Sequence, residues 1–220
     1  MLNQNSMFQK YKHFSALIIF VFLIAWFEYL KITIVAKHEI YSKLDSEIPF
    51  VKQFVLAYYT WFIYMAVGFA ILGVLSKMDF YKMLTFLSVG MIISFIIFII
   101  YPNEQFPRPI VRGNDIFSIL VRFIYNHDKT NDVFPSIHVC NAIGVFVSLY
   151  NCEKLKSKKI FQIISFIICI LICASTLFIK QHSVIDVAGG MVLAAVIYIF
   201  IYRVPKFIKK EEDTSINLDV

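Results

Sequence analysis

The 220-residue chain is poor in charged residues, glycine, proline and cysteine: Asp, Glu, Lys and Arg make up 16% of it, and it contains 7 Gly, 6 Pro and 4 Cys. It has no glycine-rich phosphate loop and no dinucleotide fingerprint, which argues against a nucleotide-binding domain. The four cysteines form no C-x-x-C pair, and no histidine stands at zinc-finger spacing. We therefore predict free thiols among helices, with neither disulfides nor a bound metal or other cofactor.

The net charge of +6 does not by itself indicate a nucleic-acid partner. The Lys and Arg residues are scattered through short polar segments instead of forming a continuous basic stripe. We expect no nucleic-acid binding and interpret these residues as signals of membrane topology.

Apolar sequence is abundant: 59% of the residues are hydrophobic and 23 are Phe. No soluble domain of this size needs so much apolar surface. A membrane-spanning helix requires about 20 mostly apolar residues, and six candidate spans occur, at residues 14–34, 54–75, 83–101, 136–152, 160–179 and 184–202. We predict an all-α fold, a polytopic membrane protein built as a six-transmembrane-helix bundle.

The Lys and Arg residues of alternate connections favour one orientation. Twelve lie on the side of the amino terminus and nine on the other side, and the nine include arginines suited to binding phosphate. Because Lys and Arg are enriched in cytoplasmic loops, we predict that both termini are cytoplasmic. Residues 1–13 are then a cytoplasmic segment, 14–204 the membrane domain and 205–220 a polar cytoplasmic tail.

The long connection between the third and fourth predicted spans, residues 102–135, contains a second kind of apolar pattern. Ile116, Ile119, Leu120, Phe123 and Ile124 recur there at helical spacing. This pattern predicts a short amphipathic helix that lies on the outer surface of the bilayer.

A histidine and an aspartate begin the last predicted span. His182 and Asp186 are four residues apart and share one face of a helix. The carboxylate can then accept the proton on one imidazole nitrogen and leave the other nitrogen free to attack. Two alternatives stay open: Ser183 and Asp186 also fit a helix-capping box, and a histidine at a membrane surface need not take part in chemistry.

A second histidine, His138, follows Pro135 and Ser136 at the start of the fourth span. The predicted hairpin of spans four and five brings His138 and His182 to the same outer surface. Arg108 can bind phosphate oxygens with two parallel hydrogen bonds, and the free N–H groups at the start of span four, with the Ser136 hydroxyl, can form an anion site. One imidazole to attack and another to protonate the leaving oxygen would complete a phosphoryl-transfer site.

Three segments, 101–109, 135–138 and 175–186, resemble the motifs of the type 2 phosphatidic acid phosphatase superfamily. These are Lys-x6-Arg-Pro, Pro-Ser-Gly-His and Ser-Arg-x5-His-x3-Asp, carried on six spans by membrane lipid phosphatases and phosphotransferases. The chain matches them with Arg108-Pro109, with Pro135-Ser136-x-His138 and with Ser175-x6-His182-x3-Asp186. The resemblance extends from about the second predicted span to the sixth.

The resemblance implies a role for each matching residue. His182 would be the nucleophile that forms a phosphohistidine, Asp186 its orienting partner, and His138 the acid that protonates the leaving group. Arg108 and Ser136 would bind phosphate, and no metal would be required.

Three positions depart from the motifs. Tyr101 replaces the lysine of the first, Ile137 the glycine of the second, and Thr176 the arginine of the third. The loss of two cations matters because a phosphoryl transition state spreads charge over several oxygens. We consider Lys180 and Arg112 as substitutes that would bind phosphate, with a solvated interfacial charge as the alternative for each.

The leading hypothesis is a plasma-membrane phosphatase that acts at the outer face on a lipid phosphate or pyrophosphate. A phosphotransferase of the inositol-phosphoceramide synthase type is the alternative within the enzymes. A transporter, a scaffold or an inactive member of the superfamily is the alternative of another class. The sequence does not predict the oligomeric state.

Overall fold

The computed structural model of the protein describes residues 9–105, 108–128, 131 and 133–205. Several sequence predictions concern residues outside these ranges. They are most of the N-terminal segment, residues 106–107 of the first motif, Lys129 in the topology argument, and the polar tail after residue 205.

The described part of the chain is a multi-pass membrane protein made mostly of helices. The helices are α1 (Ile18–Thr33), α2 (Lys43–Glu47), α3 (Val55–Leu75), α4 (Lys77–Ile100), α5 (Ile116–His127), α6 (Ile137–Asn151), α7 (Lys159–Phe178) and α8 (Val184–Tyr198). Turns of 3-10 helix precede α1 and α3 at Lys12–Leu17 and Lys52–Phe54, and another lies at Glu153–Leu155. A π-helical turn, Ile199–Arg203, continues α8.

Within the described residues, five helical segments are long and apolar enough to cross a membrane: Gln9–Thr33, Lys52–Leu75, Lys77–Ile100, Lys159–Phe178 and Val184–Arg203. The remaining apolar helix, α6, has 15 residues. At 1.5 Å per residue it is about 22 Å long, shorter than the roughly 30 Å hydrocarbon core of a bilayer. The apolar helices thus lie close to the predicted spans, while the count of six spans stays a prediction.

The helix that differs most from its predicted start is α4, which begins at Lys77 instead of residue 83. The Ser76 side chain caps it by accepting a hydrogen bond from the Asp79 backbone N–H at 3.3 Å. This cap lets the polar turn before the apolar run join the helix, because it satisfies a backbone donor that the first turn leaves free.

The all-α prediction omitted one short pair of strands. β1 (His38–Ile40) pairs in parallel with β2 (Asn103–Gln105), with His38 opposite Asn103. The buried Asn103 side chain accepts hydrogen bonds from the backbone N–H groups of Val133 and Phe134 at 3.0 and 2.9 Å. Because Asn103 belongs to β2, the paired strands hold the segment that leads into α6 in place.

The core lies between α3, α4, α6, α7 and α8 and is rich in fully buried aromatic and aliphatic side chains, among them Phe80, Phe86, Phe95 and Phe98. A smaller apolar cluster lies at the end of the bundle where α5 packs, formed by Val55, Tyr58, Val121, Ile124 and Ile179. This second cluster includes Ile179 of the third motif segment.

The predicted amphipathic helix is present as α5, and its apolar side chains lie on both a buried and an exposed face. Val121 and Ile124 are buried against the bundle, whereas Ile116, Ile119 and Phe123 are exposed. Asp115 caps its first turn by accepting from the Ser118 N–H at 3.2 Å, and Lys52 pairs with the same carboxylate at 2.6 Å. Because hydrogen bonds from the Lys52 ammonium, and then from the Ser118 hydroxyl and N–H, stabilise the charged form, the pKa of Asp115 lies below its ordinary value.

Candidate active site

The third motif segment turns sharply between α7 and α8. The backbone N–H groups of Gln181 and His182 both donate to the Thr176 carbonyl, at 2.9 and 3.1 Å. Lys180 adopts a left-handed backbone with φ of 54°, a conformation that reverses the chain after a helix. The turn places His182 immediately before Ser183, the N-cap residue of α8.

The His182 imidazole lies beside the Asp186 carboxylate, with 3.4 Å between Nδ1 and Oδ2. Asp186 is fully buried and His182 is 8% exposed. The 3.4 Å separation is longer than a good hydrogen bond, and in this ring orientation Nδ1 has no hydrogen-bond partner among the described residues. The arrangement leaves Nε2 as the nitrogen directed away from the carboxylate.

Asp186 also forms the capping box that the sequence left open as an alternative. Its Oδ2 atom accepts from the Ser183 backbone N–H at 2.8 Å, and the Ser183 hydroxyl accepts from the Ile185 N–H at 3.2 Å. The two interpretations are therefore compatible, because the carboxylate that caps α8 also lies next to His182.

The second motif segment starts α6 and lies directly against α8. Ser136 is the N-cap residue: its hydroxyl accepts from the Val139 N–H at 3.4 Å, and its own N–H donates to the Asp186 carbonyl at 3.1 Å. A Cβ atom at Gly190 would lie 2.6 Å from the Ser136 carbonyl oxygen. Glycine at this position permits the close approach of the two helices.

This packing brings the two histidines together, as the predicted hairpin requires. The rings of His138 and His182 have centroids 5.7 Å apart. The His138 ring also contacts the rings of Tyr58 and Trp61 of α3, whose centroids lie at 4.6 and 4.5 Å. His138 is thus held by an aromatic wall on one side and meets His182 on the other.

Arg108 is anchored next to this pair. Its guanidinium donates to the Gln181 side-chain carbonyl and to the Asp128 backbone carbonyl, and it lies over the Tyr125 ring at 4.8 Å from the centroid. Burial lowers the pKa of Arg108 from its ordinary value, and the Asp128 charge acts in the opposite direction. The group stays cationic because arginine does not lose its proton in proteins.

The structure does not bring the other two predicted cations to the histidines. The Lys180 ammonium donates to the backbone carbonyls of Asp45 and Ile48, and burial lowers its pKa while the Asp45 charge raises it. Arg112 is exposed in the segment before α5, and its backbone carbonyl accepts from Ser118. Lys180 thus ties the motif turn to the α2 loop, and Arg112 faces outward.

The residues at the two positions where the motifs have a cation also point elsewhere. The Tyr101 ring stacks on His38 with 4.2 Å between centroids. Thr176 is buried, and its hydroxyl donates to the Cys173 carbonyl at 2.7 Å. Neither side chain supplies a phosphate contact in this arrangement.

Sequence reasoning missed two residues of this region. Gln181 is 2% exposed, and its Nε2 atom has no hydrogen-bond partner among the described residues. Asp45 accepts from the Ser183 hydroxyl at 2.6 Å and from the Val184 N–H at 2.8 Å. Gln181 could have been suspected as a polar residue inside the third motif, whereas nothing in the sequence around Asp45 indicates a contact with α8.

A cavity of about 440 Å³ leads to the histidine pair. His138, His182 and Gln181 line it together with the charged residues Glu28, Lys31 and Asp128, and apolar side chains of α1 and α3 line much of the rest. Over the residues the structure describes, no group of three or more His, Cys, Asp or Glu side chains is placed to hold a metal ion. The arrangement suits an anion with a long apolar substituent.

The chain is similar to a known protein family over the part that carries most of this site. The sequence model of the family described as PAP2 superfamily matches residues 105–210, which include Arg108 and both histidines. No curated protein and no solved structure matched the chain.

Proposed function

Because the chain belongs to the PAP2 superfamily, whose members are phosphatases, we propose that it hydrolyses lipid phosphates or pyrophosphates at the outer face of the plasma membrane. The observation that carries this proposal is the pair of imidazole rings, 5.7 Å apart, in a cavity whose lining is largely apolar. His182, His138 and Asp186 are the proposed catalytic residues, and Arg108 and the start of α6 at Ser136 the phosphate site.

In the proposed first step, Nε2 of His182 attacks phosphorus and forms a P–N bond. The P–O bond to the lipid breaks, and His138 donates a proton to the leaving oxygen. Asp186, next to Nδ1, stabilises the positive charge that develops on the His182 ring. In the second step water attacks the phosphohistidine, His138 takes a proton from that water, and orthophosphate leaves with the P–N bond broken.

The depth of the site favours a lipid substrate. His138 contacts Tyr58 and Trp61, the fourth and seventh residues of α3. At 1.5 Å per residue these lie about 5 to 9 Å from the first residue of α3. A phosphate on a lipid headgroup can reach such a depth while its chain occupies the apolar part of the cavity.

Phosphate release by the purified full chain in detergent, with EDTA present, tests the proposal. We expect inorganic phosphate from dioleoyl phosphatidic acid or farnesyl pyrophosphate, and an acid-labile labelled protein after a short incubation with substrate labelled in the terminal phosphate. Both signals should disappear in His182→Ala. Activity that persists in His182→Ala contradicts the nucleophile assignment, and transfer of phosphate to an added alcohol in preference to water would indicate a phosphotransferase.

The role of His138 predicts a dependence on the leaving group. Replacement of His138 by Gln should lower phosphate release from phosphatidic acid by about 10² to 10⁴, the usual contribution of a general acid. The first-turnover burst of p-nitrophenol from p-nitrophenyl phosphate should fall much less, because that leaving group departs without a proton. The burst also precedes the step in which His138 takes a proton from water. Equal losses on both substrates would contradict the assignment of His138 as the acid.

A further inference from the structure

The cavity that leads to the two histidines has more negative than positive side chains in its lining, although it is proposed to bind a phosphate. Glu28, Lys31 and Asp128 are its charged lining residues within the described part of the chain, so a single lysine stands beside two carboxylates. Arg108 is not one of the lining residues. Its guanidinium is bound to the Gln181 side chain and the Asp128 carbonyl, and both of these residues line the cavity. A phosphate group that enters the cavity therefore meets Lys31 as the cation on its path.

Lys31 is held in a polar cluster at the end of α1. Its Nζ atom lies 3.1 Å from the Glu28 carboxylate, 3.0 Å from the His127 carbonyl and 4.0 Å from the Asp128 carboxylate. The Lys31 side chain is 11% exposed, whereas that of Glu28 is 55% exposed. The ammonium is thus enclosed by the protein, and its carboxylate partner is free to turn into solvent.

The cluster reaches His138 through two contacts. The Tyr58 hydroxyl donates to Asp128 at 3.2 Å, and the Tyr58 ring lies 4.6 Å from the His138 ring. Asp128 and Tyr58 thus connect Lys31 to one of the two imidazoles. This neighbourhood contrasts with that of Lys180, whose ammonium is bound to the carbonyls of the α2 loop.

We propose that Lys31, supplied by the first membrane helix, is a phosphate-binding residue of this site. The inference rests on the proposed function and deepens it. The ammonium exchanges the Glu28 carboxylate for a non-bridging oxygen of the substrate phosphate, and so supplies positive charge where Tyr101 and Thr176 supply none. Glu28 holds Lys31 in position until the phosphate arrives.

Binding of orthovanadate, which adopts the geometry of a transferring phosphoryl group, tests the proposal without turnover. The readout is the vanadate concentration that half-saturates the rise in thermal unfolding temperature of the purified full chain. Lys31→Met should raise this concentration about tenfold to a hundredfold, the usual effect of losing a charged hydrogen bond, whereas Lys31→Arg should stay within a few-fold of wild type. Lys37→Met, an exposed residue in the segment after α1, is the control and should bind vanadate as wild type does.

A variant of the partner residue separates phosphate binding from a purely structural ion pair. Glu28→Gln breaks the same pair as Lys31→Met but leaves the ammonium in place and removes a negative charge. It should therefore tighten vanadate binding. If Glu28→Gln and Lys31→Met weaken binding alike, or if Lys31→Met binds as wild type does, the proposal is overturned.

Failure of the proposal and failure of the proposed function give different results. A protein that releases phosphate from dioleoyl phosphatidic acid with the same kcat/KM in wild type and Lys31→Met contradicts the role of Lys31 alone. A protein that binds vanadate through Lys31 but releases phosphate from neither dioleoyl phosphatidic acid nor farnesyl pyrophosphate contradicts the proposed function alone. Absence of vanadate binding to the wild type contradicts both.

Discussion

Asp186 combines two roles in one carboxylate. Its Oδ2 atom accepts from the Ser183 N–H and lies near His182 Nδ1, and its buried Oδ1 atom has no hydrogen-bond partner among the described residues. A small rotation of the His182 ring would turn the 3.4 Å contact into a hydrogen bond. Catalytic hydrogen bonds often shorten in this way when substrate binds.

Substitution of Asp186 by Asn separates the two roles. An amide oxygen still accepts from the Ser183 N–H, so the melting temperature should change little. The amide carries no charge to stabilise an imidazolium, so phosphate release should fall by about 10² or more. Asp186→Ala removes both roles and should in addition destabilise the fold by about 1 kcal/mol, the usual cost of losing a cap. An Asn variant with wild-type kcat would exclude the catalytic role of the carboxylate.

At the scale of elements, the contact between α6 and α8 sets the distance between the two histidines. The Ser136 N–H to Asp186 carbonyl hydrogen bond and the approach at Gly190 join the start of α6 to the first two turns of α8. His138 lies two residues after Ser136, and His182 lies four residues before Asp186. Any shift of one helix start along the other therefore moves the rings relative to each other.

Replacement of Gly190 by Ala tests this dependence. Alanine favours a helix more than glycine does, yet its Cβ atom would lie 2.6 Å from the Ser136 carbonyl oxygen, a backbone atom that moves only with its helix. We expect phosphate release to fall about tenfold to a hundredfold because reacting groups lose activity when displaced by a fraction of an ångström to an ångström. Met191→Ala, a change of the exposed neighbouring residue, should leave activity unaltered. Wild-type activity of Gly190→Ala would show that the approach is not required.

The α2 loop provides a second constraint on the start of α8. The Asp45 carboxylate accepts from the Ser42 N–H at 2.7 Å within its own capping box, and also from the Ser183 hydroxyl and the Val184 N–H. One side chain thus joins the N-termini of two helices. The Lys180 ammonium strengthens the same junction through the carbonyls of Asp45 and Ile48.

Loss of the Asp45 carboxylate should loosen this junction. Asp45→Ala leaves three donors without their acceptor, and hydrogen bonds to a charged group contribute about 1.5 to 3 kcal/mol in typical proteins. We expect the free energy of unfolding to fall by about 2 kcal/mol and activity to fall with it, measured by denaturant unfolding in detergent and by phosphate release. Glu47→Ala, in the same short helix and exposed, is the control. Equal stability of the two variants would contradict the role of Asp45.

At the scale of the whole molecule, the sequence predicts the apolar helices well and their connections poorly. Long apolar runs such as residues 54–75 and 160–179 predict membrane helices directly. The observed α3 starts one residue after the first run, and α7 starts and ends one residue before the second. The start of α4 was placed six residues late because hydropathy does not register the Ser76 cap. The β1–β2 pair was missed because three-residue strands have no periodicity of their own.

The same contrast holds for the site. Local spacing identified His182 with Asp186 and His138 with Ser136, and the family match to residues 105–210 confirms the resemblance that was drawn from these motifs. Lys31 and Asp45 could not be assigned in this way. Their positions depend on contacts with residues far away in the chain, such as Lys31 with His127 and Asp45 with Ser183. Lys180 and Arg112 were favoured by proximity in sequence, and the structure orients them elsewhere.

The predicted orientation of the whole protein can be tested with two matched cysteine variants. Ser46 lies in α2, at the end of the bundle that carries the histidines, and Ser157 lies in the basic connection between α6 and α7, at the other end; both are exposed. Because positive residues such as Lys156 and Lys158 favour the cytoplasmic side, a membrane-impermeant maleimide applied to intact cells should label Ser46→Cys and should label Ser157→Cys only after permeabilisation. The parent protein is the control, since its cysteines are buried apart from the half-buried Cys173. The reverse labelling pattern would place the site on the cytoplasmic face and contradict action at the outer leaflet.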